Sequence, residues 1–118
     1  MSKVKFYQYK KCSTCVKASK FLASKKIDFK DLAIVDTPPT KTELKKMLAA
    51  YEGNIKKLFN TSGVMYRELK IKAKINDMSE KDAIDLLSKN GKLIKRPFLI
   101  APNGTLVGFK EDEWSKLF

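Results

Sequence analysis

Only two cysteines occur in the 118 residues, and they stand three positions apart as Cys12-Ser13-Thr14-Cys15. A secreted disulfide scaffold needs more cysteines, spread along the chain. A structural zinc site needs further thiolate or imidazole ligands, and the sequence contains no histidine. Two readings of the pair stay open: a redox dithiol, or two unrelated thiols beside a helix. The flanking pattern favours the first. The segment from Lys3 to Tyr9 alternates through Val4 and Phe6 and predicts a strand. Between Val16 and Phe29, the residues Val16, Ala18, Phe21, Leu22 and Ala23 recur at helical spacing, with Lys17, Lys20, Lys25 and Lys26 opposite them. The dithiol therefore falls where a strand hands over to a helix, with Cys12 at the helix mouth.

That position has chemical consequences. The first turn of a helix presents unpaired N–H groups and the positive end of the dipole, which favours thiolate over thiol. Lys10, Lys11 and Lys17 add positive charge. Cys12 is expected to be the nucleophile. Cys15, one turn deeper on the same face, is expected to resolve a mixed disulfide formed on Cys12. Oxidation is expected to close an intramolecular Cys12–Cys15 bond. Without histidine, imidazole-based catalysis is excluded.

The remainder predicts an α/β chain. Asp28 to Val35 reads as a strand, broken by Asp36-Thr37-Pro38-Pro39. Thr40 and Glu43 form a capping-box pattern that opens a helix ending near Gly53. Asn54 to Phe59 reads as a short helical turn and Asn60 to Gly63 as a polar loop. Tyr66 to Ile75 reads as one helix. Ser79 and Asp82 cap another, which Asn90-Gly91 stops. Phe98 to Ile100 and Thr105 to Phe109 are strands joined by a hairpin at Asn103-Gly104. Glu111-Asp112-Glu113 opens a closing helix. A dithiol at the first strand–helix junction of this order is the thioredoxin pattern. The expectation is a single thioredoxin-like domain over residues 1–118, with an all-helical insertion at about 38–90.

The formal charge is +12, but 23 of the 25 basic residues are lysine, leaving only Arg67 and Arg96 for bidentate phosphate or base recognition. The excess reads as a solvated lysine surface and not as a face for sequence-specific nucleic-acid binding. The longest apolar run is the five residues from Met47 to Tyr51, too short for a membrane span. No secretory signal is read at the N-terminus, so a cytoplasmic location is expected; the chain is also expected to be a monomer.

Several segments, in order, resemble the arsenate reductase-like (Spx-type) branch of the thioredoxin superfamily. They are Phe6-Tyr7 before Lys11-Cys12-Ser13-Thr14-Cys15, Pro38-Pro39-Thr40, Lys57 to Gly63, Tyr66-Arg67-Glu68-Leu69, Leu93-Ile94-Lys95-Arg96-Pro97, and Val107 to Glu111. The match is closest to arsenate reductase family proteins of low-GC Gram-positive bacteria. The resemblance implies a thioredoxin-like fold built on a four-stranded mixed sheet with a helical insertion. It also implies a cis-proline at Pro97, with Arg96 facing the nucleophile and stabilising a thiolate or bound oxyanion. Cys12, Cys15 and Arg96 are the expected catalytic residues. Lys11, Ser13, Thr14, Asn60 and Pro97 are expected to border the substrate or anion. No metal and no bound cofactor are expected. The reductant would be a small thiol such as glutathione, or a thioredoxin-type redox protein.

The chain also departs from the resembled arsenate reductases. Asn60 stands at an oxyanion arginine, Phe109 near a second, Gln8 at a histidine, and Cys15 where those enzymes have a residue other than cysteine. These departures count against arsenate and for a thiol–disulfide substrate. The regulator branch carries the same Cys-x-x-Cys as a switch, and contacts the C-terminal domain of the RNA polymerase α subunit through a glycine aligned with Gly53. It carries Ser-Thr-Arg-Ser where this chain has Phe59-Asn60-Thr61-Ser62. An oxidoreductase is thus the first expectation and a redox-sensing regulator the second.

Overall fold

The computed structural model describes residues 4–118; the expected start of the first strand at Lys3 lies outside them. Four strands, β1 (Lys5–Gln8), β2 (Lys30–Ala33), β3 (Phe98–Ala101) and β4 (Gly104–Val107), are joined by helices. These are α1 (Ser13–Ser24), α2 (Lys41–Ala50), α3 (Val64–Glu68), α4 (Ile71–Lys74), α5 (Glu80–Lys89) and α6 (Glu111–Leu117). The sheet order is β2-β1-β3-β4. β1 runs parallel to β2 and antiparallel to β3, and β3 and β4 form the antiparallel hairpin. This is a mixed four-stranded sheet in a thioredoxin-like fold.

Successive strand side chains point to opposite faces, so the sheet divides two cores. Val4, Phe6, Leu99 and Ala101 pack with Ala18, Phe21 and Leu22 of α1 and with Trp114 of α6. Tyr7 and Phe98 face the helical block, where Leu44, Met47, Ile84 and Leu87 are buried. The result is three layers. Trp114 is the keystone of the first core: it meets Phe6, Phe21 and Phe109 edge-on, and its Nε1 donates to the Gly108 carbonyl at 3.1 Å.

Local chemistry fixes the second core to β1. Thr40 Oγ1 accepts from the Glu43 amide at 3.1 Å, and Glu43 Oε1 accepts from the Thr40 amide at 3.0 Å, completing the capping box. The same carboxylate takes the Tyr7 hydroxyl at 2.7 Å and pairs with Lys5 at 3.0 Å. Burial works against the Glu43 charge, but the Thr40, Tyr7 and Lys5 donors outweigh it and hold its pKa below the usual carboxylate range. Burial, reinforced by Glu43, pushes the Tyr7 phenol up.

The expected helix from Tyr66 to Ile75 is broken in two. Lys70 adopts a left-handed conformation, φ 54°, between α3 and α4. In an unbroken helix Tyr66 and Ile71 would point about 140° apart; the break lets both enter one core. At Gly91 an added Cβ would lie 1.9 Å from the Ile34 carbonyl oxygen, so only glycine lets the chain leaving α5 pass the backbone after β2.

Candidate active site

A tight turn follows β1, in which the Cys12 amide donates to the Tyr9 carbonyl at 3.0 Å. The turn delivers Cys12 as the N-cap of α1, in extended backbone conformation. Its Sγ takes the place of the usual serine or aspartate oxygen and accepts from the Cys15 amide at 3.3 Å. Cys12 is half-exposed, whereas Cys15 is fully buried, and both are free thiols. Burial pushes the Cys15 thiol up to about 12; a hydrogen bond with the Cys12 sulfur and its negative charge add to this, while the Tyr9 amide and Arg96 pull the other way.

A second element supplies the opposite wall. The Lys95 amide donates to Leu58 O at 2.8 Å and the Asn60 amide to Leu93 O at 2.7 Å, with Phe59 and Ile94 bridged between them. This short antiparallel pairing holds Asn60 beside Arg96. The Arg96–Pro97 bond is cis, and the Pro97 carbonyl accepts the Gly108 amide at 2.8 Å. The cleft so enclosed holds about 340 Å³ and is lined by Cys12, Thr14, Asn60, Ser62, Lys95, Arg96 and residues 107–110. No acidic side chain lines it, while Lys95, Arg96 and Lys110 do. Gly108, at φ 73°, leaves room for the Lys95 stem to cross it; an added Cβ would come within 3.0 Å of Lys95 Cε.

Four of the sequence-expected residues, Cys12, Thr14, Asn60 and Arg96, thus meet in one cleft, with Cys15 buried behind Cys12. Pro97 is buried beneath it. Lys11 does not line it. The turn sends Lys11 to a different cleft of about 530 Å³, shared with Gln8, Lys10 and Asp31. Ser13 is exposed on the first turn of α1 and does not line the Cys12 cleft. Sequence reasoning missed Ser62, Lys95 and Lys110 as lining residues. Lys95, adjacent to Arg96, and Lys110, just past the return strand, were the available signals. Gln8 Nε2 donates to Asp31 at 2.8 Å, and the Phe109 ring packs 5.1 Å from that of Trp114. Among the described residues no group of acidic or cysteine side chains could hold a metal, and no helix is long and apolar enough to cross a membrane.

Comparison with known proteins gives a consistent picture. Residues 7–117 match the ArsC family model. The chain is 43% identical to the uncharacterized protein YusI of Bacillus subtilis over 111 residues, 94% of each chain. It is 30% identical to the global transcriptional regulator Spx of Streptococcus pyogenes over 102 residues, covering 86% of this chain and 75% of Spx. The crystal structure of an ArsC family related protein from Bacteroides fragilis superposes with a TM-score of 0.92 at 47% identity, covering 98% of both chains.

Proposed function

The chain belongs to the ArsC family, and from that premise we propose that it is a thiol–disulfide oxidoreductase whose redox centre is Cys12 and Cys15. The observation that carries this reading is a half-exposed cysteine at a helix N-cap, open to a cleft of cations, with a buried thiol one turn behind it. The Cys12 thiolate attacks a substrate disulfide RS–SR′, forming Cys12–S–S–R and releasing R′S⁻, which takes up a proton. Cys15 then loses its proton and attacks the Cys12 sulfur. The Cys12–Cys15 bond forms, RS⁻ leaves, and the substrate has gained two electrons. Two equivalents of a small thiol such as glutathione, or one thioredoxin-type dithiol, return the centre to the reduced state.

The order of the two attacks has a physical reason. While Cys12 is a thiolate, its charge and hydrogen bond help to keep Cys15 protonated. Once Cys12 is bonded to substrate that charge is gone, and Arg96 acts on Cys15 unopposed by it. The cations of the cleft favour a substrate carrying carboxylates. Arsenate is a poor substrate in this reading. Gln8 is turned to Asp31, Phe109 is committed to Trp114, and Asn60 offers an amide where the resembled enzymes place arginine. Reduction of a glutathione mixed disulfide by the purified protein, coupled to glutathione and its reductase, tests the proposal. Turnover lost in Cys12→Ser is the expected result, and no turnover in the wild type contradicts it.

A second reading is favoured by the identity to Spx, a global transcriptional regulator. Here the dithiol is a switch and the partner is RNA polymerase, through the C-terminal domain of its α subunit. Gly53, at φ 77°, lies in a groove between α2 and α5. Capture of that polymerase domain by the reduced or oxidised protein, without disulfide turnover, selects this reading.

A further inference from the structure

Arg96 is one of the cations lining the Cys12 cleft, yet it pairs with no carboxylate among the described residues. It rests instead against an aromatic face: the guanidinium carbon lies 4.7 Å from the centre of the Tyr9 ring. Tyr9 is also tied to the nucleophile through its backbone: its carbonyl accepts from the Cys12 amide at 3.0 Å. The ring itself lies outside the Cys12 cleft, in an adjoining cleft of about 380 Å³ with Lys92 and Glu68. Arg96 lines both clefts. A long, unpaired side chain at such a boundary has rotamers that leave the thiol and reach towards Glu68 or solvent.

We infer that Tyr9 is a positioning residue: its ring holds the Arg96 guanidinium at the boundary of the two clefts, so that the positive charge faces the cysteines. A guanidinium is attracted electrostatically by the face of an aromatic ring, and the attraction does not need the hydroxyl. Among the described residues the Tyr9 hydroxyl has no hydrogen-bond partner that bears on this. Phenylalanine should therefore serve, and an aliphatic side chain of similar bulk should not. The inference deepens the oxidoreductase reading by naming what aims its cation.

The test uses chemistry that needs only a thiolate. In a Cys15→Ala background, the rates of Cys12 alkylation by iodoacetate and by iodoacetamide are compared; their ratio reports the positive field at the sulfur and cancels general reactivity. Tyr9→Leu should lower the ratio roughly two- to fivefold, the size expected of an exposed cation–π contact. Tyr9→Phe should restore it. Arg96→Met should lower it at least as far, and adding Tyr9→Leu to Arg96→Met should change nothing more. Should Tyr9→Leu not fold by circular dichroism, Tyr9→Met carries the same comparison. An unchanged ratio in the aliphatic variant, or an equal further drop in the Arg96→Met background, overturns the inference. Failure of the wild type to reduce disulfides would sink the oxidoreductase reading and leave this ratio as it is.

Discussion

Replacing Cys15 by alanine isolates the consequence of placing a thiol where water cannot reach it. The backbone amide that donates to Cys12 Sγ is retained, so the N-cap survives. At pH 8 the variant should lose about 1–2 kcal/mol, from the sulfur contacts and the small cavity left behind. The pH dependence is more telling. In the unfolded chain a thiol ionises near pH ~8.5, whereas in the native protein burial pushes Cys15 up to about 12. Its folded value is raised, so its contribution to stability is complete below the unfolded value and is lost as pH rises towards the folded one. Between pH ~9 and ~12 the unfolded state has released a proton that the native state keeps, and stability falls by roughly 1 kcal/mol per pH unit. Alanine has no proton to release. Urea unfolding of both proteins at pH 8, 9, 10 and 11 should show the wild type's advantage shrinking and then reversing. Lysine and tyrosine titrations cancel in the difference. A gap that stays constant from pH 8 to 11 would refute the reasoning, because Cys15 would then ionise as readily in the native protein as in the unfolded chain.

Three other substitutions test the frame. Gly91→Ala should cost about 3 kcal/mol or more, because the new methyl meets the Ile34 backbone and not a movable side chain; a melting temperature equal to wild type contradicts the close approach. Glu43→Gln should remove a contribution that is present above the ordinary carboxylate pKa and lost as pH falls through the lowered native one. Its destabilisation, read by urea unfolding, should therefore be larger at pH 7 than at pH 3, and an equal cost at both would contradict the sign. Trp114→Phe should cost about 2–3 kcal/mol, because it empties part of the first core and leaves the buried Gly108 carbonyl without its donor; a chemical-denaturation curve unchanged from wild type would contradict that role.

The features legible in the sequence were those set by neighbours along the chain. Thr40 with Glu43 and Ser79 with Asp82 produce the expected caps because each needs only a few adjacent residues, and the expected hairpin forms, although its two-residue loop is Pro102-Asn103 and Gly104 is already paired with Ala101. The dithiol's place at a helix mouth was legible for the same reason. What escaped the sequence depends on distant contacts. Lys70 breaks a helix that periodicity reads as continuous, because Tyr66 and Ile71 must share one core. Lys11 was expected beside the substrate, but the turn closed by Tyr9 and Cys12 sends it to another cleft. Asn60 reaches Arg96 only through the pairing with Leu93, and the Tyr9–Arg96 contact joins two ends of the chain that no local pattern connects.

The central claim is that Cys12 attacks and Cys15 resolves. Mass spectrometry of the proteins treated with glutathione disulfide tests it most directly. Cys15→Ser should accumulate a glutathione adduct on Cys12. The wild type should pass through that adduct to an intramolecular Cys12–Cys15 disulfide, and Cys12→Ser should stay unmodified at the buried Cys15 over the same time. Rapid adduct formation on Cys15, or a wild type that keeps glutathione on Cys12 or ends as a covalent dimer, would contradict the account.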